Sequence, residues 1–442
     1  MHTTLTTMTT PLTLHVVDAA GANASGAFCL DGSPPGFYLR RASNALDAGR
    51  WVVYMQGGAW CDSPSSCAYR STGHLGSSTK FAPTYQMDGV LDANASRNPT
   101  FAGWNHVLLA YCDGGSFSGD ATSGLSWPDP RDPSRNTTLY FRGRRVLQHL
   151  LRVLSSDHGL GSAEHVLLAG GSAGGLATYL QADFVATLLP RTVTKYKAMP
   201  VSGFFLMHAD RDGRSGYVES MNATFRLHNA SVLPACAASA PERERYRCFF
   251  ANYSYAHSRT PMFAVQSVYD EYQLFAILRA GGWDAGCLNR GRQFSANCTT
   301  AQLTAFNAYA AAMLSDWGRG LTRGKATRPG EGAFIESCLE HVAEQRRGPY
   351  DGYRIDGVSM REAISSWWLS DGTDPAAKHI YRPCELSLQP PHYCNPSCLA
   401  RSAELDGGGP PPEAAALRAA DAGDVGLSGL IELSERGRVS YL

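Results

Sequence analysis

The chain has 442 residues, 44% of them hydrophobic and 18% charged, with 39 basic against 39 acidic side chains. That length can bury a large core, and the balanced charge gives no ground for nucleic acid or an anionic membrane surface as a partner. No apolar run reaches the length of a transmembrane helix.

Twelve cysteines occur: Cys29, Cys61, Cys67, Cys112, Cys236, Cys248, Cys287, Cys298, Cys338, Cys384, Cys394 and Cys398. The number is even and no Cys-x-x-Cys pair is present, so disulfides are expected rather than a zinc ribbon. Glycosylation signals agree, with N-x-[ST] at Asn23, Asn94, Asn136, Asn222, Asn229, Asn252 and Asn297. Both point to a secreted protein. The start, MHTTLTTMTTPLTLHVVD, has neither a basic opening nor an apolar core, so it is not a signal peptide. A leader lying outside this sequence reconciles the two. Residues 1–27 are expected to stand apart from a single catalytic domain over 28–404. Beyond it, 405–442 reads as a flexible tail of low complexity.

In chain order, Phe37-Tyr38-Leu39 follows a turn cluster and reads as a strand. Trp51–Met55 is apolar throughout, the pattern of a strand buried on both faces. It ends in Gln56-Gly57-Gly58-Ala59-Trp60-Cys61. Small residues in such a loop let backbone N–H groups approach a substrate carbonyl, so Gly58 and Ala59 are candidate oxyanion donors. The competing reading is an ordinary strand-ending turn. Trp60 is a candidate pocket wall or a plain core tryptophan. Cys61 and Cys67 bracket a short loop and are expected to pair. His106–Tyr111 is a third strand, and Arg142–Leu154 a helix with one leucine-rich face.

The stretch His165–Leu180, HVLLAGGSAGGLATYL, carries the chemistry. An apolar strand stops at Gly170-Gly171, and helical spacing begins after Ser172. Between them lies G-x-S-x-G, Gly170 to Gly174, the pattern of a nucleophile elbow that presents a serine hydroxyl at the top of a parallel sheet. The N–H of Ala173, opening the helix, completes the candidate oxyanion hole. The competing reading is a glycine-rich connection with a solvated serine.

Further on, MPVSGFFLM over Met199–Met207 is apolar, and residues 208–260 read as a decorated insertion. Pro261–Gln266 is another buried strand, ending at Tyr269-Asp270-Glu271. A triad acid belongs at such a strand end, and spacing does not choose between Asp270 and Glu271. A helix follows over 301–316, then a strand at Ala333-Phe334-Ile335, then His341. His379 and His392 also lie downstream. His392 beside Cys394 and Cys398 has the look of a metal cluster, but disulfide use of these cysteines fits the rest of the chain better.

The order Ser…acid…His implies an α/β fold: an α/β-hydrolase-type, mostly parallel sheet with helices on both faces and disulfide-bonded insertions. Several stretches together resemble the pectin acetylesterase family, which takes in plant pectin acetylesterases and Notum-like deacylases. They are QGGAWC…C at Gln56–Cys67, GGSAGGLAT at Gly170–Thr178, SGFFL at Ser202–Leu206 and CFF at Cys248–Phe250. YDEYQL at Tyr269–Leu274, SCxxH at Ser337–His341 and CNPSC at Cys394–Cys398 continue the series in the family's order, over about residues 28–400.

The resemblance implies a serine esterase with nucleophile Ser172, acid Asp270 and histidine His341, oxyanion donors Gly58, Ala59 and Ala173, disulfide-bonded cysteines, and no metal or other cofactor. Gln56 and Ala59 depart from the plant pattern, which has an acid and a third glycine there; Notum-like chains carry tryptophan at the Ala59 position. The leading expectation is removal of O-acetyl groups from a polysaccharide such as pectin. A Notum-like deacylase acting on an acylated protein is the alternative, and a non-catalytic glycan- or lipid-binding protein on the same scaffold is a further one. Because a neutral imidazole is needed and free histidine titrates near ~6.5, activity should rise with pH through the mildly acidic range.

Overall fold

The computed structural model describes residues 10–279, 286–289, 293–322, 329–371, 379–390 and 392–399. The tail at 405–442 lies outside them.

A ten-stranded sheet organises the chain. Its strands are β1 (Leu12–Val16), β2 (Gly36–Arg40), β3 (Arg50–Met55), β4 (Thr84–Tyr85), β5 (Asn105–Leu109), β6 (His165–Gly171), β7 (Lys195–Val201), β8 (Phe263–Ser267), β9 (Gly332–Glu336) and β10 (Ile380–Tyr381). Their order is β10-β9-β8-β7-β6-β3-β5-β2-β1-β4. From β10 to β5 every pairing is parallel, and β5-β2, β2-β1 and β1-β4 are antiparallel. Within the N-terminal segment, residues 12–25 belong to this fold: β1 is a strand of the sheet, and helix α1 (Ala19–Ser25) buries Ala22. The strand alternates apolar and polar residues, as one near a sheet edge does, but over five residues only and directly after a threonine-rich stretch.

The central strands are buried on both faces because helices cover both. Along β6, Val166 and Leu168 join one core and Leu167 and Ala169 the other, as a period of two requires. On the first side stand the leucines of α3 (Gly143–Asp157) and α4 (Ala173–Leu188), buried along its first ten residues. On the second stand Ile364, Trp367 and Trp368 of α8 (Met360–Leu369). Between α4 and α8 come α5 (Gly216–Leu227), α6 (Glu271–Ala276) and α7 (Thr300–Thr322). No helix among the described residues is long and apolar enough to cross a membrane.

All twelve cysteines are bonded: Cys29–Cys112, Cys61–Cys67, Cys236–Cys248, Cys287–Cys298, Cys338–Cys398 and Cys384–Cys394. Cys61 and Cys67 pair with each other, whereas Cys394 and Cys398 each reach back to a different partner. The two groupings of cysteine with His228 or Glu336 therefore offer no thiolate to a metal, since their sulfurs are spent in disulfides.

Candidate active site

The sequence places Ser172, Asp270 and His341 after β6, β8 and β9, at the carboxyl edge of the parallel sheet, where ligands bind in open α/β folds. Ser172 has φ 57° and ψ −124°, a backbone conformation that L-residues rarely take. Its surroundings enforce it. Its amide donates to the Val201 carbonyl at 2.9 Å, and a side chain at Gly174 would strike the Met55 carbonyl. The strand-to-helix turn that results leaves Ser172 only 6% exposed.

Asp270 is fully buried and does two jobs. As N-cap of α6 its Oδ1 accepts from the Gln273 amide at 3.1 Å, and both carboxylate oxygens meet His341 Nδ1, at 2.9 and 2.8 Å. Gln266 Nε2 donates to its Oδ2 at 3.2 Å. Of the two carboxylates that spacing left open, Asp270 is the one that meets His341, while Glu271 starts the helix. Of the three histidines, His341 meets the acid. His379 precedes β10 at the opposite sheet edge, and the His392 ring meets the Ser387 carbonyl.

With Nδ1 engaged, His341 Nε2 is buried and has no hydrogen-bond partner among the described residues. The segment that carries it is fastened at several points. The Val342 amide donates to Ser202 Oγ at 2.9 Å. The carboxylate of Glu344 accepts from the Val90 amide at 2.7 Å and the Tyr54 hydroxyl at 3.1 Å, and burial pushes its pKa up to about 7. Val201, which holds the elbow, directly precedes Ser202, which holds the histidine segment. Both pieces of the site therefore hang from the end of β7.

The loop after β3 lies against the elbow. A methyl group on Gly57 would sit 2.8 Å from Ser172 Cβ and 3.3 Å from the Ala173 nitrogen, so only glycine allows this approach. Gly58 has φ 144° and Ala59 φ 52°. The N–H groups of Gly58, Ala59 and Ala173 have no acceptor among the described residues, although all three residues are buried. Buried amides left unpaired are uncommon, and these three are free to meet an acceptor atom.

The same loop is pinned from behind. Tyr111 Oη donates to the Ala59 carbonyl at 2.8 Å, and Arg70 Nη2 to the Gly58 carbonyl at 2.6 Å. Trp60 is 2% exposed, its indole N–H bonded to Ser116 Oγ at 2.7 Å, which in turn donates to the Ala173 carbonyl at 2.8 Å. The Trp60 ring meets Phe205 edge-on at 4.9 Å and Tyr272 at 6.4 Å, and Tyr272 stacks on the His341 ring at 5.4 Å. Sequence reasoning missed Arg70, Tyr111, Ser116 and Ser202. None of them lies in a motif that names its role, and each acts through a contact distant in sequence.

A family model described as pectinacetylesterase matches residues 6–398. The chain belongs to the pectinacetylesterase family. Among its relatives, pectin acetylesterase 11 of Arabidopsis thaliana is 29% identical over 87% of this chain and 92% of its own length. Pectin acetylesterase 5 of the same plant is 30% identical, over 85% and 83%. Palmitoleoyl-protein carboxylesterase notum2 of Xenopus laevis is 25% identical over 84% and 72%. The structure of the Wnt deacylase Notum from Drosophila superposes with a TM-score of 0.67 at 25% identity, covering 88% of this chain and 99% of that one. The family makes this chain a carboxylic-ester hydrolase, as the ordered motifs implied, and the α/β fold agrees.

Proposed function

We propose that the chain is a secreted serine esterase that removes O-acetyl groups from a polysaccharide such as pectin, with Ser172, His341 and Asp270 as its triad. The observation that carries the mechanism is the pairing of His341 Nδ1 with both oxygens of Asp270, at 2.9 and 2.8 Å, which leaves a buried, unengaged Nε2. In the first step Nε2 accepts the Ser172 hydroxyl proton as Oγ bonds to the ester carbonyl carbon. The negative charge that develops on the carbonyl oxygen is received by the amides of Gly58, Ala59 and Ala173. The tetrahedral species collapses, the ester C–O bond breaks, and His341 returns the proton to the departing sugar oxygen. Water then attacks the acetyl-enzyme with His341 again as base, releasing acetate and restoring the serine.

A short acyl group is supported by the closely packed Trp60, Phe205 and Tyr272 beside His341. The Notum likeness supports a second reading, removal of a fatty acyl group from an acylated protein. Secretion is supported by six disulfides, by exposed sequon asparagines Asn23, Asn136, Asn229 and Asn297, and by the lack of a membrane-spanning helix among the described residues. The test is hydrolysis of p-nitrophenyl esters from acetate to octanoate by wild type and Ser172→Ala. Acetate preference lost in Ser172→Ala is expected. Octanoate preference favours the protein deacylase, and equal rates in the two proteins overturn the role of Ser172.

A further inference from the structure

Arg70 ends helix α2 (Pro64–Arg70), and none of its surface reaches solvent. A charged side chain is seldom buried this way without a specific use. Its Nε donates to the Leu75 carbonyl at 3.0 Å, and its Cζ lies 5.0 Å from the Tyr111 ring centre. Its Nη2 donates to the Gly58 carbonyl at 2.6 Å.

That carbonyl belongs to the same peptide group as the N–H of Ala59. In a planar trans peptide the two point in opposite directions and share one π system. A cation bonded to the oxygen draws electron density from the nitrogen, so the N–H on the far side becomes a stronger donor. The low polarity of the interior magnifies the effect.

We propose that Arg70 is a positioning residue of the oxyanion loop: it aims the Gly58–Ala59 peptide and polarises it, so that the Ala59 amide binds a developing oxyanion more tightly than a neutral clamp would allow. This rests on the reading of Ala59 as an oxyanion donor. Two features set it apart from simple loop packing. The neighbouring peptide is held by a neutral group, the Tyr111 hydroxyl on the Ala59 carbonyl, so geometry alone does not require a cation. The strained backbone at Ala59, φ 52°, is fixed from both adjacent carbonyls.

The test compares Arg70→Lys, Arg70→Gln and Arg70→Met with wild type. It reads kcat and KM on p-nitrophenyl acetate and the inhibition constant of an alkyl boronic acid, whose serine adduct is a tetrahedral anion. Arg70→Met is expected to lower kcat about 100-fold, the scale of one oxyanion donor, and to weaken the boronate by a similar factor with KM little changed. Arg70→Lys should recover most of the loss and Arg70→Gln little of it. If Arg70→Gln matches Arg70→Lys, or if kcat falls while boronate affinity stays at the wild-type value, the proposal is overturned. Should Arg70→Met not fold, the Lys and Gln variants decide alone. Ser172→Ala is measured alongside: activity kept there sinks the serine mechanism, whereas activity lost there with Arg70→Met unimpaired sinks only the role of Arg70.

Discussion

The amide of Val342 donates to the hydroxyl of Ser202 at 2.9 Å, and both residues hold a left-handed backbone, φ 55° and 46°. Two strained residues facing each other beside His341 mean that packing, not local preference, sets the height of its ring. Ser202→Ala leaves the buried Val342 amide without its acceptor, at a cost of about 1–3 kcal/mol. The imidazole should then sample positions too loose for proton transfer. The expected result is kcat lower by about tenfold with KM nearly unchanged. Steady-state kinetics check it, and a rise in KM at constant kcat would assign Ser202 to substrate binding instead.

Asp270 and Glu271 are adjacent carboxylates, yet their settings differ. Asp270 has no exposed surface and touches the ring, whereas Glu271 is the first residue of the helix it caps. Asp270→Asn keeps the shape but favours the wrong imidazole tautomer, so kcat should fall by about 10⁴. Glu271→Gln should stay close to wild type. Comparable losses in the two variants would mean that the acid has been misassigned.

This pair also shows what could be read from the residues alone. The elbow was legible because strand, glycines and helix abut within a few residues. So were the buried central strands, whose apolar runs survive any context. The acid and the histidine were narrowed only to a few candidates, since the contact joining Asp270 to His341 spans 71 residues and depends on strand order. Disulfide partners were legible for Cys61 and Cys67, six residues apart, but not for Cys338 and Cys398, which the fold brings together. Strand β1 escaped notice because its apolar-polar alternation, Leu12-Thr13-Leu14-His15-Val16, runs for only five residues beside a threonine-rich opening.

The disulfides differ in how much chain they close. Cys29–Cys112 spans 83 residues and Cys61–Cys67 only 6. Loop-closure entropy gives about 4–5 kcal/mol for the first and about 2 kcal/mol for the second. Removing each pair by double serine substitution should lower Tm more for Cys29 and Cys112. The shorter bridge adjoins the Gly58–Ala59 loop, so its loss should cost more activity per degree of Tm. Calorimetry with parallel kinetics checks both, and the reverse ranking of Tm would show that native-state strain outweighs chain entropy here.

Glu344 links the histidine segment to the pH of the medium. Its carboxyl is buried against Tyr54 and Val90, and desolvation raises its pKa from 4.5 to about 7. Between those values the folded chain holds a proton that the unfolded chain has released, so stability must fall as pH rises through this window. Asp113, raised to about 7 by the same burial, adds a slope of the same sign. Glu344→Gln imitates the neutral, protonated form. The variant should match wild type near pH 4.5 and exceed it increasingly towards pH 7.5, while Asp113 preserves part of the decline. Thermal melts across this range test the point: parallel curves for the two proteins would show that Glu344 is already ionised in the folded state throughout.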